Sequence, residues 1–297
     1  MNKLKLLFGI MRAPFLILTP ACVLLGLGTT LWTTGHVNWL YFALVLVGAV
    51  CAHTSVNAFN EYFDFRSGLD ARTQRTPFSG GSGTLQARAD ITRTALATAW
   101  TAFAVTALTG LFFVYLRGPA ILPLGLLGLF LLYAYTPWLT RNPFLCLIAP
   151  GLGFGPLMVM GVHYALTGAY SWTAFVASLI PFFLVSDLLL LNQFPDVEAD
   201  RSVGRRHFPI LIGRKISSLI YGTFLLATYL TIGLGVIFGL LPAICLIGML
   251  GAVIAVPVGL RAFRYADDIP KLIPSMGLNV LINLLTPVLV GVGLLIK

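Results

Sequence analysis

Charge is what this sequence has least of. Asp, Glu, Lys and Arg make up 10% of its 297 residues, against about 25% in soluble domains. Hydrophobic residues reach 58% and mean hydropathy is +0.92. So little charge cannot cover the surface of a soluble fold of this length, which excludes that class. Acidic residues are the scarcer sign, 10 against 19 Lys and Arg. The resulting charge of +9 rests on too few basic residues to make nucleic acid a principal partner. Cysteine is sparse as well. Cys22, Cys51, Cys146 and Cys245 lie far apart in apolar stretches with no C-x-x-C, which excludes a zinc-ligand set and a disulfide framework. No long polar linker or soluble module interrupts the chain, so residues 1–297 read as a single transmembrane domain.

Long apolar runs are abundant. A span needs about 20 mostly apolar residues, and nine are expected, near 13–34, 39–60, 94–115, 119–139, 144–165, 172–191, 217–237, 239–260 and 273–295. The N-terminal run follows basic residues but lacks a small-residue cleavage site before a polar mature region, so it reads as a retained first helix. Internal Pro20, Pro150, Pro156, Pro242, Pro257 and Pro287 are compatible with helices in a membrane. With the N-terminus cytoplasmic, 17 of the 19 basic residues fall on the cytoplasmic side, only Arg117 and Lys297 lying opposite. That asymmetry supports the span count and the orientation. The expectation is an all-α integral membrane protein with its N-terminus cytoplasmic.

Topology alone does not explain the acids, all of which fall at or near one side. Two polar cap segments stand out, about 61–93 and 192–216. The first opens NEYFDFRSGLD from Asn60 and the second NQFPDVEADR from Asn192. Each follows an even-numbered span, four spans apart, in the manner of a parallel internal repeat. Asn57, Asn60, Glu61 and Asp64 share one helical face, which His53 extends into the membrane. Asn192, Asp196 and Asp200 are likewise spaced by four. Two acidic faces brought together repel unless a cation joins them. Mg²⁺ takes oxygen ligands, commonly a few carboxylates and substrate phosphates. Arg66, Arg72, Arg201, Arg205, Arg206, Arg214 and Lys215 form a pool that can meet those phosphates.

Other features have two readings each. His53 is a site residue or a packing histidine. His163 is expected to be structural. Asp187, within a span, is a functional candidate or a buried partner of a cation. The Thr76–Thr84 stretch, TPFSGGSGT, offers backbone N–H groups to an anion or simply turns. Tyr133, Tyr135 and Trp138 are interfacial aromatics or line a pocket for a cation-like transition state.

At these residues the chain resembles the UbiA superfamily of intramembrane aromatic prenyltransferases. It is most similar to the branch acting on 1,4-dihydroxy-2-naphthoate in menaquinone biosynthesis. The carrying motifs are Asn60-Glu-Tyr-Phe-Asp64 with Asp70 six residues on, Asn192-Gln-Phe-Pro-Asp196 through Asp200-Arg201, and Arg12-x-Pro14 before the first span. Glu61 stands where many members have Asp, moving the carboxylate by one methylene. The resemblance implies nine helices around a central cavity in the inner (cytoplasmic) membrane, with the active site facing the cytoplasm. It implies Mg²⁺-dependent transfer of a polyprenyl group from an isoprenyl diphosphate to an aromatic small molecule, with membrane lipid as surroundings. Asn60, Asp64, Asp196 and Asp200 take the catalytic role. Asn57, Arg66, Arg72, Arg201, Arg205 and Lys215 take diphosphate binding. Asp64, Asp70, Asn192, Asp196, Asp200 and Glu61 take the metal. In that branch transfer is coupled to loss of the ring carboxylate.

The motifs address the donor and leave the acceptor open. 4-Hydroxybenzoate, homogentisate, a porphyrinoid or a glycerol phosphate lipid would be served equally. A secondary transporter is the reading from another class, but its polar groups belong near the bilayer midplane, whereas these sit at one end. The D-G-x-x-A-R pattern of the alcohol phosphatidyltransferases is absent.

Overall fold

In apolar surroundings a backbone must satisfy its own hydrogen bonds, and a helix does so within one segment. The computed structural model, which describes residues 3–296, is all helical among those residues. A short α1 (Lys3–Ile10) precedes α2 (Ala13–Thr34) and α3 (Trp39–Ser67). A loop containing α4 (Thr84–Ala87) leads to α5 (Ala89–Arg117), α6 (Pro119–Ala134), α7 (Pro143–Thr167) and α8 (Trp172–Asn192). Two short helices, α9 (Val197–Ser202) and α10 (Phe208–Leu211), lie in the second polar segment. The chain ends with α11 (Gly213–Ile237), α12 (Ala243–Arg264) and α13 (Ile269–Leu295).

Eight of these helices are long and apolar enough to cross a membrane. The expected span at 119–139 is the exception. It stops at Ala134, because Pro137 disfavours helical geometry in the residue before it and offers no N–H. The expected break near 239 moves to 243, after Gly239 at φ 69° and Pro242. At the polar end the helices outrun the expected spans. Helix α3 continues to Ser67, so Asn60, Glu61 and Asp64 are helical and the first loop begins at Gly68.

Side-chain caps set several starts. Asn38 accepts from the Leu40 and Tyr41 amides at α3, Asn142 from Phe144 and Leu145 at α7, and Ser171 from Ala174 at α8. Small residues let the helices approach closely. Any Cβ at Gly151 or Gly155 would strike the α8 backbone at Phe182 or Ser178. Ala95, Ala99 and Ala102 turn the buried face of α5 toward α3, where Ser55 Oγ donates to Ala99 O at 3.0 Å. Past Pro150, α7 loosens into a π-helical stretch, Gly153–Met160, that contains Pro156. Such stretches often mark functional sites.

The outer wall carries exposed Leu108, Tyr115, Leu230, Val253 and Leu260. A surface this apolar suits lipid. Inside, α2, α3, α5, α6, α7, α8 and α13 enclose a cavity of about 580 Å³, and one end of it is roofed by the polar segments.

Candidate active site

The two polar segments meet over one end of the cavity. Asp64 on α3 and Asp200 on α9 are 5% and 2% exposed. Arg205 joins them, its Nη2 bonding Asp64 Oδ1 and its Nη1 bonding Asp200 Oδ1 at 2.9 Å. The second Asp200 oxygen meets His207 Nε2 at 2.9 Å. Asn60 Nδ2 donates to Asp64 Oδ2 at 2.9 Å and to Thr136 Oγ1 at 3.1 Å. A planar guanidinium suits this bridge, since its N–H groups diverge in fixed directions. Asn57, Asn60, Asp64, Asp70, Asn192, Asp196, Asp200 and Arg205 all line the cavity.

Glu61 is brought elsewhere. It is fully buried and does not line this cavity. Arg12 Nε meets its Oε1 at 2.6 Å, and Ser82 donates its backbone N to Oε1 at 2.8 Å and its Oγ to Oε2 at 2.9 Å. The carboxylate expected to hold metal thus anchors the first loop. Within Thr76–Thr84 the Ser82 amide holds this internal carboxylate, while Ser79, Gly80 and Gly81 line the cavity. Gly80, Gly81 and Gly83 all have positive φ, which glycine adopts freely. A Cβ on Gly81 would sit 2.8 Å from Asp70 Oδ1.

The basic pool divides sharply. Arg205 alone among its members lines the cavity. Arg66 is exposed near the end of α3. Arg72 reaches across to Ser202, with Nη1 at 3.1 Å from Oγ, and ties the two polar segments together. Arg201 pairs with Glu198 at 3.0 Å. Lys215 donates to Phe263 O at 2.6 Å and lies over that ring. The Arg206 amide bonds Thr140 O, and Arg214 donates to Phe194 O at 2.7 Å.

Arg12 and His207 are additions to the expected site, and of the features with two readings Tyr135 and Ser79, Gly80 and Gly81 of the Thr76–Thr84 stretch also line the cavity. Arg12 is the only non-glycine residue with positive φ among the described residues, at 49°. A left-handed conformation at such a residue costs of order 1–3 kcal/mol and tends to be found at functional positions. Its place ahead of Pro14 was the available signal. Tyr133 and Trp138 lie off the cavity, Tyr133 stacking on Trp100. His163 is buried, bonded to Thr29 at 3.1 Å, and lines no cavity, in keeping with a structural role. Asp187 is fully buried and also lines no cavity.

The oxygen set fits Mg²⁺ by its unused atoms. Asp70 Oδ2, Asn192 Oδ1 and Asp196 Oδ1 are buried without a hydrogen-bond partner. Buried oxygens are ordinarily partnered, and hard oxygen donors are what Mg²⁺ takes. Among the described residues, no three His, Cys, Asp or Glu side chains stand close enough to hold an ion alone. That suits an ion shared with substrate phosphates. Burial pushes the Asp70 carboxyl up to about 6, with the Asp64 and Glu61 charges adding. Burial pushes Asp196 up to about 7, with Asp200 adding.

Residues 19–293 match the UbiA prenyltransferase family. Over 202 residues the chain is 26% identical to the 1,4-dihydroxy-2-naphthoate octaprenyltransferase of Bacillus subtilis (strain 168), a match covering 67% of this chain and 63% of that protein. The fold is similar to the apo structure of a UbiA homolog from Aeropyrum pernix K1, with TM-score 0.70 and 20% identity over 95% of this chain and 97% of that one. It is also similar to a UbiA homolog from Archaeoglobus fulgidus bound to DMAPP and Mg²⁺, with TM-score 0.62 and 14% identity over 98% and 99% of the two chains. The match extends over nearly the whole helical bundle and both polar segments, and the chain is a member of the UbiA family of prenyltransferases.

Proposed function

We propose that this protein, as a single nine-helix transmembrane domain, transfers a polyprenyl group from an isoprenyl diphosphate to 1,4-dihydroxy-2-naphthoate. The observation carrying this reading is the convergence of both acidic segments and Arg205 over one end of an apolar cavity. The named Bacillus relative supports the acceptor. The basic-residue asymmetry supports a site on the cytoplasmic face of the cytoplasmic membrane.

The chemistry follows from the lining. Arg205 and Arg12 lie at the polar end, where the donor's C1–O bond breaks and its electron pair leaves with diphosphate. Asp70, Asn192 and Asp196, with Asp64 and Asp200, would hold Mg²⁺, which supplies positive charge to the leaving group. Asn57 and Asn60 orient the phosphate end. The allylic carbon then faces an apolar chamber that excludes competing water. The electron-rich ring attacks there, forming the C–C bond, and its carboxylate leaves as CO2 with the bonding pair returning to the ring, while the hydrocarbon tail lies against the helices and lipid.

An acceptor panel tests the reading. Detergent-solubilised protein, Mg²⁺ and farnesyl or geranylgeranyl diphosphate are combined with 1,4-dihydroxy-2-naphthoate or 4-hydroxybenzoate. The expected result is a prenylated naphthoquinol that EDTA abolishes. A product from 4-hydroxybenzoate alone contradicts the acceptor, and Mg²⁺-independent turnover contradicts the site.

A further inference from the structure

Roughly three helical turns below Asp64 on α3, about 16 Å along the axis, the same face carries His53 into the apolar part of the cavity. His53 is only 6% exposed. Its Nδ1 lies 2.8 Å from Thr19 Oγ1 on α2. Its ring meets Phe154 edge-on, centroids 4.7 Å apart, within the π-helical stretch of α7. Three helices therefore fix its orientation.

The Thr19 contact also bears on the tautomer, and the competing acceptors of the hydroxyl favour one. Thr30, Thr106 and Thr228 donate to a carbonyl one turn back. Thr19 makes no such bond among the described residues, and its hydroxyl is partnered by His53. With no other acceptor for it among the described residues, the Thr19 proton is assigned to Nδ1, which leaves the N–H of a neutral ring on Nε2. Nε2 has no protein partner among the described residues and belongs to a cavity-lining ring. A donor that faces a largely apolar cavity calls for an oxygen acceptor.

An isoprenoid tail has no such atom, and the diphosphate end is held three turns away. The remaining reactant is the ring substrate. We infer that His53 Nε2–H donates a hydrogen bond to a ring-borne oxygen of the aromatic acceptor, making His53 an acceptor-binding residue. This rests on the prenyl-transfer reading above. In the largely apolar chamber that bond both orients the ring and selects for oxygen-bearing acceptors.

The test uses full-length wild type, H53L, H53Q and T19V in detergent with Mg²⁺. Steady-state rates give KM separately for farnesyl diphosphate and for acceptor. Fluorescence titration of 1,4-dihydroxy-2-naphthoate, with the unreactive S-thiolodiphosphate analogue of the donor bound, gives the acceptor Kd directly. H53L is expected to raise acceptor KM and Kd by about tenfold or more, the loss of one buried hydrogen bond, while donor KM stays within about twofold. H53Q, which keeps an N–H donor, is expected to recover most of the loss, and T19V to fall between. An unchanged acceptor Kd in H53L overturns the inference. So does an equal rise in both KM values, which marks a packing residue. Should wild type bind 4-hydroxybenzoate and not the naphthoate, the acceptor named above is wrong, and the H53L comparison on that acid decides the role of His53 in the same way.

Discussion

Arg205 bonds Asp64 across 141 residues of sequence, joining the second polar segment to the first. Its other nitrogen bonds Asp200, so one guanidinium bridges two buried carboxylates and offsets one of their two negative charges. Each acidic residue alone would be costly in this setting. Together they form a preformed clamp at the polar end of an apolar chamber.

The clamp makes a specific demand on position 205. Arg205→Lys keeps the charge but loses the fork that reaches both carboxylates. Donor KM is expected to rise by about tenfold, for the loss of one charge-assisted bond. Arg205→Ala leaves Asp64 and Asp200 facing each other and is expected to cost about 3–5 kcal/mol of stability. Steady-state kinetics and thermal unfolding in detergent separate the two outcomes.

Glu61 is expected to behave as an anchor. Glu61→Ala strands Arg12 and releases Ser82 and its loop, lowering stability by about 3 kcal/mol. Glu61→Gln retains acceptance from the Ser82 amide and should unfold at an intermediate temperature. A metal ligand would instead raise the Mg²⁺ requirement with little change in unfolding, so the pair of measurements distinguishes the roles.

Gly81 is held at φ 72°, with Asp70 against the place a side chain would occupy. Gly81→Ala adds both backbone strain and a contact with Asp70, costing about 1 kcal/mol or more. Because Asp70 presents an unused buried oxygen, the half-saturating Mg²⁺ concentration is expected to rise as well. Mg²⁺ titration of turnover checks this.

Low pH should compete with the metal. Asp70 and Asp196 are pushed up to about 6 and about 7 by burial. Mg²⁺ needs their ionised forms, so its apparent affinity is expected to fall by about tenfold or more between pH 8 and pH 6. Without metal the sign reverses. Raised carboxyl values favour the folded state when protonated, so that contribution is full at low pH and is lost as pH rises through about 6 and 7. Metal-free protein should therefore unfold more easily at pH 8 than at pH 5, and Mg²⁺ should stabilise it most at pH 8.

Much of this was legible before any coordinates. Scarce charge and long apolar runs specify membrane helices, and acids are so rare that their clustering at helical spacing marks Asp64, Asp196 and Asp200. The ends of α6 and α11 follow from Pro137, Gly239 and Pro242 once those residues are weighed. The choice among arginines was not legible. Arg205 and Arg206 are neighbours, yet only Arg205 lines the cavity and the Arg206 side chain is exposed. The fold of the loop after α9 decides that, and residue type does not. Arg12 depends on a left-handed backbone, and Glu61 on a loop that returns more than 20 residues later to bond it. Such long-range closures have no local periodicity to read.

In the function proposed above, both segments build one Mg²⁺-dependent diphosphate site. The direct measurement is the rate of prenyl transfer at saturating Mg²⁺ for Asp64→Ala and Asp196→Ala, each checked for folding by thermal unfolding. A loss of at least about 100-fold in both folded variants is expected from removing charge at the leaving group. Near-normal turnover in either one would contradict the shared site.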